Sequence, residues 1–143
     1  MIASLLISLL LIITAIAFHY WALGVLLKLL PSECGRNRHF PHAVGILILV
    51  MGVHLAIILA FAATMWCASL YMDLGSLGRG GASTFMDYFY HSAVSYSTLG
   101  LSEVPEGHLK IMTALESLTG IMLLTWSATF FYSVMGRNPK RGK

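Results

Sequence analysis

Three uninterrupted apolar runs, residues 2–27, 43–70 and 111–135, constrain this 143-residue chain more than anything else in it. A helix rises about 1.5 Å per residue, so a hydrocarbon core about 30 Å thick takes about 20 apolar residues to cross. Each run is long enough. In lipid the backbone N–H and C=O groups must be satisfied within the segment, which makes each run a helix. Composition agrees, since 57% of residues are apolar and 10% charged, against roughly 25% charged in soluble domains. The expected class is an all-α membrane protein. The first run has no basic segment ahead of it and exceeds the roughly 7–15 apolar residues of a signal peptide, so it is expected to stay as a helix.

Lys and Arg near the ends of spans favour the cytoplasmic side. Lys28, Arg36 and Arg38 follow the first run, and Arg137, Lys140, Arg141 and Lys143 follow the third; together they are seven of the nine basic residues. The segment between the second and third runs holds Arg79 and Lys110 against Asp73, Asp87, Glu103 and Glu106. It is therefore expected outside, with the N-terminus outside and the C-terminus cytoplasmic. A net charge of +3 suits an anionic inner leaflet, whereas nucleic-acid binding needs a larger basic surface. Cys34 and Cys67 fall in a cytoplasmic loop and a span on this topology, which reads as a free thiol and a small core residue.

Residues 71–108 are too many for a hairpin and too few for a domain. The Gly-rich stretch "GSLGRGGAS" (75–83) reads as a turn. "TFMD", from Thr84 to Asp87, has the hydroxyl-x-x-acid form of a helix start. Phe85, Tyr88, Phe89, Ser92 and Tyr96 then share one face at helical spacing. A short helix over 84–96 thus delivers the chain to "STLGLSE", residues 97–103. It is too short to span. Irregular backbone after it is tolerated at membrane depth only where protein buries it or it lines a water-filled cavity. Re-entry also directs the negative end of the helix dipole into the membrane, which favours a cation.

This order of helix, re-entrant helix, "STLGLSE" and helix resembles the pore module of tetrameric potassium channels, in the two-transmembrane group common in bacteria. That family's filter reads T-T-V-G-Y-G-D. Ser97, Thr98, Leu99, Gly100, Leu101, Ser102 and Glu103 fall on its seven positions, and "LESLTGIMLL" (115–124) is similar to the inner helix, with Gly120 at a position often read as a hinge. The resemblance covers residues 45–135 and leaves the first span outside. It implies a homotetramer around one axis, in which backbone carbonyls replace the hydration shell of a potassium or sodium ion. On that reading Thr98, Leu99 and Gly100 hold the ion through carbonyls and a hydroxyl, with no further cofactor. Gly100 supplies a left-handed backbone at little steric cost. Glu103 and Glu106 form an acidic outer mouth that concentrates cations.

The departures lie in the outer half of the filter. Ser102 stands where the family has its second Gly, and a left-handed L-residue costs roughly 1–2 kcal/mol. Leu101 replaces a Tyr able to brace the filter. The expectation is a monovalent-cation channel with weak or absent preference for potassium over sodium. The chain divides into an additional helix and loop (1–41), a pore module (42–136: outer helix, pore helix 84–96, filter 97–103, inner helix 109–136) and a basic tail (137–143). It is expected in a bacterial inner (plasma) membrane. The first span is expected to pack peripherally on the outer helix and to be dispensable for conduction.

Several residues admit other readings. Glu116 in the third span is expected to support the pore helix through Ser95, Tyr96 or Ser97, with a gating proton site as the alternative. His19, His54 and His91 as haem ligands are weighed against local hydrogen bonding, which single histidines on apolar helices more often make. Phe130, Phe131 and Tyr132 read equally as a dewetting gate or as lipid-facing packing. "STLGLSE" as a plain external loop, or as the relic filter of a non-conducting scaffold, remains the competing account. No nucleophile elbow, phosphate loop or metal pair appears, so no enzymatic activity is expected. No span bears a repeated Arg or Lys series, so gating is left to lipid, tension, pH or a separate regulatory subunit.

Overall fold

The computed structural model describes residues 2–29, 39–78, 83–100 and 103–135. Four helices follow in order: α1 (Ile2–Leu29), α2 (His39–Met72), α3 (Phe85–Tyr96) and α4 (Leu109–Met135). Among the described residues there is no strand. Three helices are long and apolar enough to cross a membrane, over Ile2–Lys28, Ala43–Met72 and Leu109–Val134. The all-α membrane fold expected from the three runs is the one observed, with helix ends a few residues longer for the first two spans.

The core is stacked in three layers along the bundle. One end joins Ile7 of α1, Ala62, Met65 and Ala68 of α2, Tyr88 of α3, and Leu109 and Met112 of α4. The middle joins Ala15, Ile57, Phe61, Tyr96 and Leu123. The far end joins Leu23, Leu26, Ile46, Val50 and Phe130. Reading residue numbers through the layers, α1 and α4 run in the same direction and α2 runs against both. Helix α3 enters the first layer with Phe85 and Tyr88 and reaches only the second with Tyr96. Twelve residues are about 18 Å of helix, roughly half the hydrocarbon core. By Leu109 the chain is back in the first layer. A descending half-helix and an ascending loop are therefore what the polar segment forms.

Helix α1 does not sit peripherally on α2 alone. It presents Ser4, Ser8, Ala15, His19, Leu23 and Leu26, all buried, and contributes to all three core layers, packing on α4 as well as α2. Small side chains in its first half let backbones approach closely, which is how helices associate without a hydrophobic drive. The expectation of a peripheral helix fails because the polar residues lie on the buried stripe.

Hydroxyls on the outside of the bundle satisfy themselves. Thr14, Thr64 and Thr125 donate to the carbonyls four residues earlier, Leu10, Ala60 and Ile121, which removes the penalty of an unpaired donor facing lipid. The remaining surface is strongly apolar, with Leu47, Ile48, Met51, Leu118, Ile121 and Met122 exposed. A patch of that extent is covered by lipid or by other copies of the chain.

Candidate functional site: the end of the re-entrant helix

Helix α3 starts as "TFMD" predicts. The Thr84 N–H donates to Asp87 Oδ2 at 2.7 Å, and the Thr84 hydroxyl donates to the same oxygen at 2.8 Å. The carboxylate serves an otherwise orphaned amide and lies at the positive end of the helix dipole. These bonds hold the Asp87 carboxyl below the usual carboxylate range. The predicted inward face is found in Tyr88, Ser92 and Tyr96, with Phe85 and Phe89 partly buried against the first core layer. His91, Val94 and Ser95 are also buried. Sequence periodicity misses them because α3 is enclosed by α2 on one side and α4 on the other.

The other end of α3 turns sharply. Ser97 is the C-cap and Thr98 follows with φ +59°. The Thr98 N–H donates to Ser95 O at 3.1 Å and the Leu99 N–H to Val94 O at 3.0 Å. This pair of bonds is a Schellman cap, whose left-handed position is usually glycine. Here it is a β-branched threonine, held against a cost of roughly 1–2 kcal/mol. Such strain persists only where the surroundings fix it, and it concentrates at functional sites. Sequence reasoning placed the strained L-residue at Ser102. Leu101 and Ser102 lie outside the described residues, and the strain observed is at Thr98.

The cap also settles which groups face outward. Ser97 donates to Ala93 O through its N–H at 3.1 Å and through Oγ at 2.6 Å, so the carbonyls of Ala93, Val94 and Ser95 are all occupied. Residues 97–100 follow, all four exposed, at the negative end of the α3 dipole. Gly100 has φ +67°, and a Cβ there would meet open space. Its requirement is conformational rather than steric.

Gly120 has the opposite reason. A Cβ built on it would fall 2.1 Å from the Tyr96 carbonyl oxygen. Helix α4 thus rests against the last peptide of α3 through a bare Cα. The structure gives this glycine, read from sequence as a hinge, the task of seating α3 on α4.

Glu116 is fully buried and meets α3 at Ser92 rather than at the expected Ser95, Tyr96 or Ser97. Its Oε1 bonds with the Ser92 hydroxyl, one helical turn above the serine and tyrosine at 95 and 96. Ser92 Oγ also reaches Ile58 O at 2.9 Å, so α2, α3 and α4 meet at this hydroxyl. His91 Nε2 adds a bond to Thr113 Oγ1 at 2.9 Å. Glu103 and Glu106 are exposed. The Glu106 N–H donates to Ser76 O at 2.8 Å and the His108 N–H to Leu74 O at 2.7 Å, which stitches the segment leading into α4 to the segment leaving α2.

The network sequence reasoning missed lies behind Tyr96. The tyrosine hydroxyl is 2.8 Å from His54 Nδ1, His54 Nε2 is 2.8 Å from Ser127 Oγ, and Ser127 Oγ is 2.8 Å from His19 Nε2. Three helices supply partners for a residue on the fourth. The two histidines weighed as separate ligands are thereby brought together, with both Nε2 atoms engaged by the serine. The available signal was the price of polarity at membrane depth: a histidine or serine inside a span needs a partner. Of the three aromatic residues read as a gate, Phe130 is buried and Phe131 partly so against the third core layer, while Tyr132 is exposed. Among the described residues no group of three or more His, Cys, Asp or Glu could hold a metal ion. Cys67, expected in the core, is instead an exposed free thiol on the outer side of α2; Cys34, the basic loop residues Arg36 and Arg38, and the basic tail lie outside the described residues.

No curated protein and no solved structure matches the chain. A family model described as "Ion channel" matches residues 53–137, more than half of the 143, from the middle of α2 through α3 to the end of α4. The same elements carry the potassium-channel-like arrangement of two spans around a re-entrant helix, and the chain belongs to the ion channel family.

Proposed function

We propose that this protein is a homotetrameric channel for monovalent cations, with weak or absent preference for potassium over sodium. The observation that supports this most directly is the turn at mid-depth: α3 ends in the second core layer, and residues 97–100 follow it exposed, with left-handed backbone at Thr98 and Gly100. One chain carries one such turn. Four around an axis close a ring of carbonyls, and the apolar faces left bare on each chain are covered by neighbours and lipid.

Thr98, Leu99 and Gly100 supply the inner ion sites, with Ser97 beneath them. Leu101 and Ser102, lacking the family's tyrosine and second glycine, widen the outer sites. Glu103 and Glu106 attract cations to the mouth and oppose anions. The pore module is 42–136, set in a bacterial inner membrane with the N-terminus outside and the basic tail (137–143) cytoplasmic. Its role is transport rather than catalysis, with gating supplied by the spans, the lipid or a regulatory subunit.

The test is ion flux from purified protein in liposomes under potassium and then sodium gradients. Native protein is expected to pass both ions. Replacing Gly100 with a bulky residue is expected to abolish flux, and Ser102→Gly to raise potassium preference. Correctly inserted tetramers without flux in any gradient would instead establish a non-conducting scaffold of the same fold.

A further inference from the structure

The chain from Tyr96 to His19 admits two orders of donors, and the phenol hydroxyl, a stronger donor than an imidazole N–H, facing an imidazole nitrogen, a stronger acceptor than a phenol oxygen, favours one of them. Ser127 has one hydroxyl proton between two imidazole nitrogens, so it donates to one histidine and accepts from the other. If His54 donated from Nδ1 to Tyr96, the buried tyrosine proton would need a second acceptor. With Tyr96 donating to His54 Nδ1, His54 Nε2–H donates to Ser127 and Ser127 donates to His19 Nε2. In this order His19 carries its proton on Nδ1, the end of the chain, which is buried without a partner.

Several hydroxyls of the spans bond back within their own helix, as Thr119 does to Leu115 and Thr125 to Ile121. Ser127 bonds across to α1 and α2 instead. The network ends on Tyr96, whose carbonyl lies against Gly120 and which sits two residues before strained Thr98. Its side chain is held by α2 while its backbone is held by α4.

Resting on the channel reading above, we propose that His19, Ser127 and His54 are positioning residues for the filter: a directed hydrogen-bond brace from α1 that holds Tyr96, and through it the left-handed turn at Thr98. The added first span is then a working part of the pore. It supplies the terminal acceptor without which the Ser127 hydroxyl proton loses its partner and the order of donors along the chain is no longer fixed.

Nitrogen-15 NMR of the full chain, labelled at histidine, reads the brace without flux. His54 is expected neutral with its proton on Nε2 and His19 with its proton on Nδ1, and Tyr96→Phe is expected to erase the His54 preference. Amide exchange at Thr98 and Leu99 is expected to quicken about three- to tenfold in Tyr96→Phe and in Ser127→Ala, the effect of losing one net hydrogen bond. Ser8→Ala removes an equally buried hydroxyl bonded only within α1 and is expected to leave that exchange unchanged. In flux assays the two brace variants are expected to shift the potassium-to-sodium ratio in the same direction, and their double mutant no further than either alone. A His54 proton on Nδ1, or filter exchange indifferent to both variants, overturns the brace. Native protein that passes no ions would refute only the conduction reading, because exchange and tautomer decide the brace by themselves.

Discussion

Single residues carry the tightest constraints on this protein, and two glycines show how different those constraints are. Gly120 is fixed by space. Gly120→Ala puts a methyl into the Tyr96 carbonyl, and overpacking of a close contact costs about 1–3 kcal/mol. The expected outcome is a lower unfolding temperature in detergent, with Gly120→Leu worse than Gly120→Ala. Gly100 is fixed by backbone angle, so even Gly100→Ala is expected to disturb the filter turn while leaving the assembled mass unchanged. Glu116 separates charge from shape: Glu116→Gln keeps a partner for Ser92, whereas Glu116→Leu leaves the Ser92 hydroxyl with Ile58 O alone. Thermal unfolding in detergent should place Glu116→Gln close to native and Glu116→Leu below it.

At the scale of elements, α3 is a short helix with an engineered-looking start and a strained finish, each supplied by side chains within four residues of its ends. The Asp87 carboxyl, bonded to Thr84, has its folded value lowered. A lowered carboxylate contributes stability that is present above its unfolded value and lost as pH falls through the folded one. The protection factors of the first-turn amides of α3, taken relative to intrinsic exchange at each pH, are therefore expected to fall on acidification in native protein and to be low and independent of pH in Asp87→Asn. The opposite terminus answers to geometry instead. Thr98→Gly relieves the left-handed strain and is expected to slow thermal unfolding while loosening ion preference, because a turn without a Cβ tolerates more conformations than the filter can use.

The whole molecule differs from a bare two-span module by α1, which shares every core layer and ends the Tyr96 network. Deleting residues 2–27 removes His19 and the buried Ser4, Ser8, Ala15 and Leu23. The expectation from sequence was that conduction survives this deletion. The packing predicts the reverse: on the channel reading proposed above, inserted protein whose flux is lost or whose ion preference is shifted, measured beside native protein at equal insertion. Restored native behaviour in the truncated protein would return α1 to the periphery.

What the sequence by itself determined were the properties set by near neighbours in the chain. Span length follows from apolar runs, the α3 start from a hydroxyl three residues before an acid, and the left-handed Gly100 from a filter-like heptapeptide. Each is a local rule, so each is legible without a partner. Only the tertiary structure decided where polar side chains inside the spans go. Glu116 chose Ser92 over the serines and tyrosine nearer the filter because α3 and α4 meet one turn higher than sequence spacing suggests. His19, His54 and Ser127 are separated by tens of residues and converge on Tyr96 only because α1 and α4 run parallel and α2 runs against both. A buried polar group in lipid must find a partner, and which partner it finds is a fact of packing that no stretch of sequence contains.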